Sequence, residues 1–150
     1  MARLLVVHHS PTPTVQALTE SVLAGALDEA IEGVEVVVRQ ALEATIDDVL
    51  AADGYLLGTT ANFGYISGAL KHFFDSTYDD VREPTAKRPF SYWIHGGYDT
   101  TGAERAMQSI TTGLGWTLVA DPLIFTGEVT DERLESATEL GGTVAALLMG

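Results

Sequence analysis

Short apolar runs alternate with longer amphipathic stretches along the chain. The runs Leu4–Val7, Val34–Val38, Tyr55–Leu57, Phe90–Ile94 and Trp116–Val119 have strand length, and Leu123–Phe125 would continue the last of them. After Ser67, the positions Leu70, Phe73, Phe74, Thr77 and Tyr78 recur at three and four residues, with Lys71, His72, Asp75 and Asp79 mostly between them. That spacing predicts one amphipathic helix. Ala106, Met107, Ile110 and Leu114 predict a second, and Leu134, Ala137, Leu140, Val144 and Leu147 a third at the C-terminus. Another helix is expected to start near Val15. Strands alternating with helices at this spacing join through right-handed crossovers into a parallel sheet covered on both faces, so the expected class is α/β. Arg82–Pro89, with two prolines and four charged residues, predicts an exposed loop.

The length of 150 residues, with 46% hydrophobic and 19% charged, fits one domain spanning 1–150 that needs no disulfide or metal to hold its core. Cysteine is absent, which removes thiol nucleophiles, Cys-ligated zinc and iron–sulfur clusters. Twenty-one acidic against eight basic residues give a formal charge of −13, a field that repels nucleic acid and anionic membrane surfaces. The segment 28–53 concentrates this charge and reads either as a solvated face or as a docking surface for a basic redox partner. The N-terminal apolar run stops at His8 and His9, too early for a signal peptide. Residues 54–70 are uncharged but carry too many glycines and polar residues for a membrane span, so a cytoplasmic protein without membrane contact is expected.

In an open parallel sheet, ligands bind beyond the carboxyl ends of the strands, which selects three loops. The first, His8-His9-Ser10-Pro11-Thr12-Pro13-Thr14-Val15, places hydroxyls at alternate positions before a helix N-terminus. Such a loop can cradle a phosphate without Lys or Arg. The same residues also suit plain capping, with Ser10, Thr12 or Thr14 as the cap and Pro13 opening the helix. The second loop, Gly58 to Gly68, flanks Gly64 with Phe63 and Tyr65, a pattern suited to a flat ligand lying on backbone and rings or to a small satellite core beneath the loop. The third, His95 to Gly102, pairs the backbone donors of Gly96 and Gly97 with Tyr98 as an aromatic cover, or forms a plain turn.

His8, His9 and His95 all fall near this edge, yet no acidic residue joins the first two loops and no zinc spacing is present, so no metal is expected. His9 reads as a hydrogen-bonding or phosphate-facing residue. Gly113-Leu114-Gly115 follows a helix and precedes a strand, the reverse of a dinucleotide fingerprint, and neither a P-loop nor a Gly-x-Ser-x-Gly elbow occurs. A phosphorelay receiver would need acidic residues where His8, His9 and Thr59 stand.

The stretch Ala44-Thr45-Ile46-Asp47-Asp48 through Ala52-Asp53-Gly54, then Gly58-Thr59, Phe63-Gly64, Ser67-Gly68 and Phe74-Asp75, resembles the flavodoxin-like superfamily. Within it, the similarity is to the branch of NADPH-dependent FMN reductases and NAD(P)H:quinone oxidoreductases. Weaker similarity extends through the first loop, the third loop and Leu114-Gly115-Trp116. The resemblance implies a three-layer sandwich around a five-stranded parallel sheet in order 2-1-3-4-5. It implies bound FMN, with His9, Ser10, Thr12, Thr14 and Val15 at the phosphate. Thr59, Thr60, Ala61, Asn62, Phe63, Gly64 and Tyr65 would lie along the isoalloxazine, and His95, Gly96, Gly97 and Tyr98 at its other edge.

The resemblance further implies NAD(P)H as donor, a free flavin or quinone-type acceptor, and a homodimer as one arrangement. No residue stands out as a general acid or base. Two departures are visible. Pro13 and Val15 replace a glycine and a hydroxyl residue, removing one N–H and one side-chain donor. Only Gly127 to Arg133 separate the last strand from the final helix, where the quinone reductases carry a longer insertion. These departures keep two rivals open: an electron carrier to a protein partner, and a flavin-free binding or assembly module on the same fold.

Overall fold

The computed structural model describes every residue from Met1 to Gly150. The elements are β1 (Ala2–His8), α1 (Pro13–Ala26), β2 (Val34–Gln40), α2 (Ile46–Ala51), β3 (Gly54–Asn62), β4 (Tyr65–Ile66), α3 (Gly68–Val81), β5 (Pro89–Gly96), α4 (Thr101–Leu114), β6 (Thr117–Leu118), β7 (Leu123–Thr126) and α5 (Asp131–Leu147). The parallel sheet runs β2-β1-β3-β5, with both β6 and β7 on the far side of β5. This is the expected 2-1-3-4-5 order, with the fifth strand in two pieces and one added strand.

The broken strand corrects the expectation for Trp116–Val119. Only Thr117 and Leu118 pair there, opposite Pro89 and Phe90. The chain resumes pairing at Leu123, opposite Trp93, after passing Pro122, which has no N–H to offer a ladder. Trp116 is buried instead, its ring stacked 3.9 Å from that of Tyr55. The Trp116 indole donates to Thr85 Oγ1 at 2.9 Å, so the expected exposed loop at Arg82–Pro89 is anchored by a fully buried Thr85. From the same loop, Arg88 Nη1 donates to the carbonyls of Leu50 (3.0 Å) and Ala52 (2.7 Å), covering the C-terminal end of α2.

Successive strand residues face opposite layers, as the pleat requires. Leu4, Val6, Leu56 and Trp93 pack with Leu18, Val22, Ala137, Leu140 and Val144 of α1 and α5. Leu5, Val7, Tyr55, Leu57, Tyr92 and Ile94 pack with Val49, Phe73, Phe74, Met107 and Leu114 of α2, α3 and α4. Each fully buried Leu or Val contributes about 1.5–3 kcal/mol relative to exposure, which is why these runs fix the layers. The short helix α2 has no counterpart in the apolar periodicity. Its start is a capping box, Thr45 Oγ1 accepting from the Asp48 N–H and Asp48 accepting from the Thr45 N–H. No helix is long and apolar enough to cross a membrane.

Candidate functional site at the carboxyl edge of the sheet

β1 ends at His8, and the His9 N–H donates to the Gly58 carbonyl at 3.0 Å, tying the first loop to β3. Thr12 is the N-cap of α1, its Oγ1 accepting from the Val15 N–H at 3.3 Å, and Pro13 opens the helix. The capping reading of Thr12 is therefore realised. Val15 is buried, and its N–H is taken up by the Thr12 cap. Ser10 Oγ is engaged by two side chains, lying 2.8 Å from His8 Nδ1 and 2.6 Å from Thr19 Oγ1. The backbone N–H groups of Ser10, Thr12 and Thr14 meet no acceptor in the chain, and Thr14 is exposed. Those donors sit at the positive end of α1, a site suited to an anion and built without a charged side chain.

The expected second loop is largely strand. β3 continues to Asn62, and Ala61 and Asn62 pair antiparallel with Ile66 and Tyr65 of β4. Phe63 and Gly64 form the two-residue turn, with φ of 49° and 75°. A tight hairpin favours positive φ at both positions, which glycine meets freely and phenylalanine only at a cost of about 1–2 kcal/mol. The Phe63 ring is fully exposed, so it does not form the satellite core that was one expectation. Tyr65 is partly exposed beside it.

The side chains at the end of β3 divide the work. Thr59 is fully buried, its Oγ1 accepting from the Ser67 N–H at 3.0 Å and donating to the Thr60 carbonyl at 2.8 Å. That hydroxyl closes the hairpin base and is not available to a ligand. Thr60 Oγ1 is buried with no partner, and so is His9 Nδ1. A buried polar atom without a partner costs about 1–3 kcal/mol, and two such atoms at one sheet edge mark where an outside group would complete the bonding.

In the third loop, His95 Nε2 lies 2.7 Å from the Gly127 carbonyl. A carbonyl only accepts, so Nε2 carries a proton, and the neutral tautomer compatible with this bond is the one whose Nδ1 is an acceptor. Its ring packs edge-on against Phe125 at 4.9 Å. Gly96 is buried so close to Ala61 that a Cβ there would stand 3.1 Å from the Ala61 methyl. Tyr98 is almost fully exposed. Asp99 accepts from the Thr101 N–H at 3.0 Å and the Thr101 hydroxyl at 2.8 Å, which holds its carboxyl below the usual range.

The three loops form one edge. Thr60 is level with His95 in the ladder, and His8 with Gly58. The hairpin tip rests on the first turn of α4, where any side chain on Gly102 would overlap the Gly64 carbonyl. His8, Thr19 and Gly102 belong to the construction of this edge; the sequence placed His8 at the start of the first loop and Gly102 at the end of the third but assigned none of the three a role in the site. His8 was legible from strand alternation with Leu4 and Val6, whereas Thr19 and Gly102 become meaningful only through contacts across elements. No group of three or more residues able to hold a metal ion is present.

The phosphate cradle, the unpartnered buried atoms and the exposed rings fit FMN: anion donors at α1, polar contacts at β3, and flat apolar surfaces at the rim. Comparison with known proteins agrees. The family of NADPH-dependent FMN reductases matches residues 9–131. A flavodoxin of Aquifex aeolicus is 36% identical over 115 residues, covering 76% of this chain and 60% of that one, so the chain spans less than two-thirds of that relative's length. An NAD(P)H dehydrogenase (quinone) of Geotalea daltonii is 23% identical over 176 aligned positions, covering 99% of this chain and 85% of the relative. A solved flavodoxin from the domain Archaea superposes with a TM-score of 0.80 at 18% identity, over 99% of both chains, and so shares the fold. The chain has the flavodoxin-like fold and belongs to the family of NADPH-dependent FMN reductases.

Proposed function

We propose that the protein is an NAD(P)H-dependent reductase of free flavin or a quinone-type small acceptor. The observation that carries this reading is the pair of unpartnered buried atoms, His9 Nδ1 and Thr60 Oγ1, on an edge whose rim exposes Phe63 and Tyr98. FMN, when bound, supplies the redox chemistry, accepting electrons from a nicotinamide and passing them to the acceptor. The chain's own residues hold and orient it. The N–H groups of Ser10, Thr12 and Thr14 take the phosphate, and Thr60 through Tyr65 line one side of the ring system. His95 through Tyr98 line the other, with His95 Nδ1 as an acceptor for a ring N–H. Both exposed rings stand where a flat acceptor or a nicotinamide would stack.

A second reading, an electron carrier to a basic protein partner, is favoured by the charge of −13 and by the short connection from β7 to α5, in which only Gly127 to Thr130 intervene. Steady-state oxidation of NADH and NADPH by the FMN-loaded protein, with a quinone or free FMN as acceptor, tests the choice. Turnover without another protein supports the reductase. Turnover only when a separate reductase supplies electrons replaces it with the carrier.

A further inference from the structure

His8 ends β1 on the α1 and α5 side of the sheet and takes no part in the assignment above. Its Nδ1 contacts Ser10 Oγ at 2.8 Å, and Ser10 Oγ in turn contacts Thr19 Oγ1 at 2.6 Å. A serine hydroxyl has one proton and two lone pairs. While His8 Nδ1 is bare, it must receive the Ser10 proton, Thr19 donates into Ser10, and the hydroxyl has nothing left to offer an anion. With a proton on Nδ1 the direction reverses, and with Thr19 still donating, both lone pairs are filled and the Ser10 proton is free to point at a ligand in the loop. The neutral Nδ1–H tautomer and the imidazolium both do this, but only the imidazolium adds a positive charge that a dianion favours.

We propose that His8 is a positioning residue that sets the direction of the Ser10 hydroxyl, so that holding the FMN phosphate in the first loop is coupled to uptake of one proton. This inference rests on the phosphate assignment of that loop. Burial, with the neighbouring His9 as a smaller cause, holds His8 below the usual histidine range, which keeps its ring neutral near pH 7 in the ligand-free chain. A dianion beside Ser10 favours the protonated ring and raises that value.

Few other charges compete. His9 faces the same cavity from the loop, and α1 contributes Glu20 with the uncharged Gln16. From β2 comes Gln40, while Arg39 turns away to Asp48 at 3.3 Å, and β3 places Gly58 level with His8. The cavity, about 450 Å³ in volume, gives solvent a path to this cluster.

The sign follows from linkage. FMN affinity is highest below the ligand-free value of His8 and is lost as pH rises through the ligand-bound value, whereas riboflavin lacks the phosphate and shows no such slope. The test is titration of FMN and riboflavin against the parent and His8→Asn from about pH 5.5 to about pH 8.5. In the parent, the FMN-to-riboflavin affinity ratio is expected to fall about tenfold across that range, the scale of one hydrogen bond to a charged group. In His8→Asn an amide donor stands in place of Nδ1 and does not titrate. Its ratio should follow only the ionisation of the phosphate itself, which acts on both proteins alike.

A direct readout accompanies this: the midpoint of the His8 imidazole nitrogen resonances should rise on adding FMN or inorganic phosphate and stay put with riboflavin. The same slope in parent and variant, or a His8 midpoint unmoved by FMN, overturns the proposal. FMN preferred over riboflavin without a His8-dependent slope sinks this inference alone, and no FMN binding by the parent sinks the assigned function with it. Should His8→Asn lose its fold by circular dichroism, the parent's imidazole titration decides.

Discussion

Gly102→Ala tests the hairpin as a ring-binding wall without touching any proposed contact residue. Gly102 is the second residue of α4, and an added methyl would overlap the Gly64 carbonyl, so the hairpin tip must withdraw by more than an ångström. Overpacking of this kind costs about 1–3 kcal/mol. Alanine in place of glycine in a helix returns up to about 1 kcal/mol. Net destabilisation is therefore about 0–3 kcal/mol, a melting temperature lower by at most about 12 °C at this chain length.

Flavin binding should suffer more. Displacing Phe63, Gly64 and Tyr65 from the edge that carries His95 and Gly96 forfeits aromatic contacts worth about 0.5–1.5 kcal/mol each, so the dissociation constant is expected to rise about tenfold. FMN and riboflavin should weaken alike, because the hairpin lies away from the first loop. Fluorescence titration of both flavins, with Gly68→Ala as a control where a Cβ meets open space, measures this directly. Unchanged flavin affinity in a folded Gly102→Ala protein whose hairpin amide resonances have moved would refute the placement of the ring against the hairpin.

Other outcomes follow from the same structure. Ser10→Ala combined with Thr12→Ala should weaken FMN at least about tenfold and riboflavin less than about twofold, because only FMN carries the phosphate. The Thr12 change also removes the α1 cap at a cost of about 1 kcal/mol, so binding is compared well below melting, and equal weakening of both flavins defeats the phosphate assignment. Raising salt should leave FMN affinity unchanged or improve it, since the first loop holds no Lys or Arg and the chain carries −13; a steep loss with salt would point to a basic contact elsewhere. Arg88→Met should cost about 1–3 kcal/mol by leaving the carbonyls of Leu50 and Ala52 without their donor, and denaturant unfolding within about 0.5 kcal/mol of the parent would show solvent replacing it.

What could be read from the sequence was whatever depends on local period. The layers followed from strand runs such as Leu4–Val7, whose residues alternate between two cores, and α3 from the spacing of Leu70, Phe73, Phe74 and Thr77. The carboxyl-edge loops followed from topology, because a parallel sheet puts all three on one side. What escaped depends on partners distant in sequence. The break after Leu118, the burial of Thr85 by the Trp116 indole, and the hairpin closed by Thr59 and Ser67 are invisible to a window of ten residues. Thr59 shows the difference most clearly. Its position in the loop is what a ligand contact would need, yet its hydroxyl is consumed by the backbone it helps to fold.

That distinction explains how so acidic a chain can hold an anionic cofactor. A site built from lysine and arginine would need charges that this sequence spends sparingly, and Arg39 is paired with Asp48 while Arg88 is bonded to the end of α2. The donors are instead backbone N–H groups whose directions are fixed by the start of α1, and side-chain hydroxyls whose directions are fixed by neighbours. Backbone donors keep their aim at any pH, so affinity rests on how firmly the loop is tied down. The ties are few and specific: the His9 N–H on Gly58, the Thr12 cap on Val15, and the Gly64 tip on Gly102. Each lies beside a proposed contact, and a substitution at any of them would move the site while leaving the two cores intact.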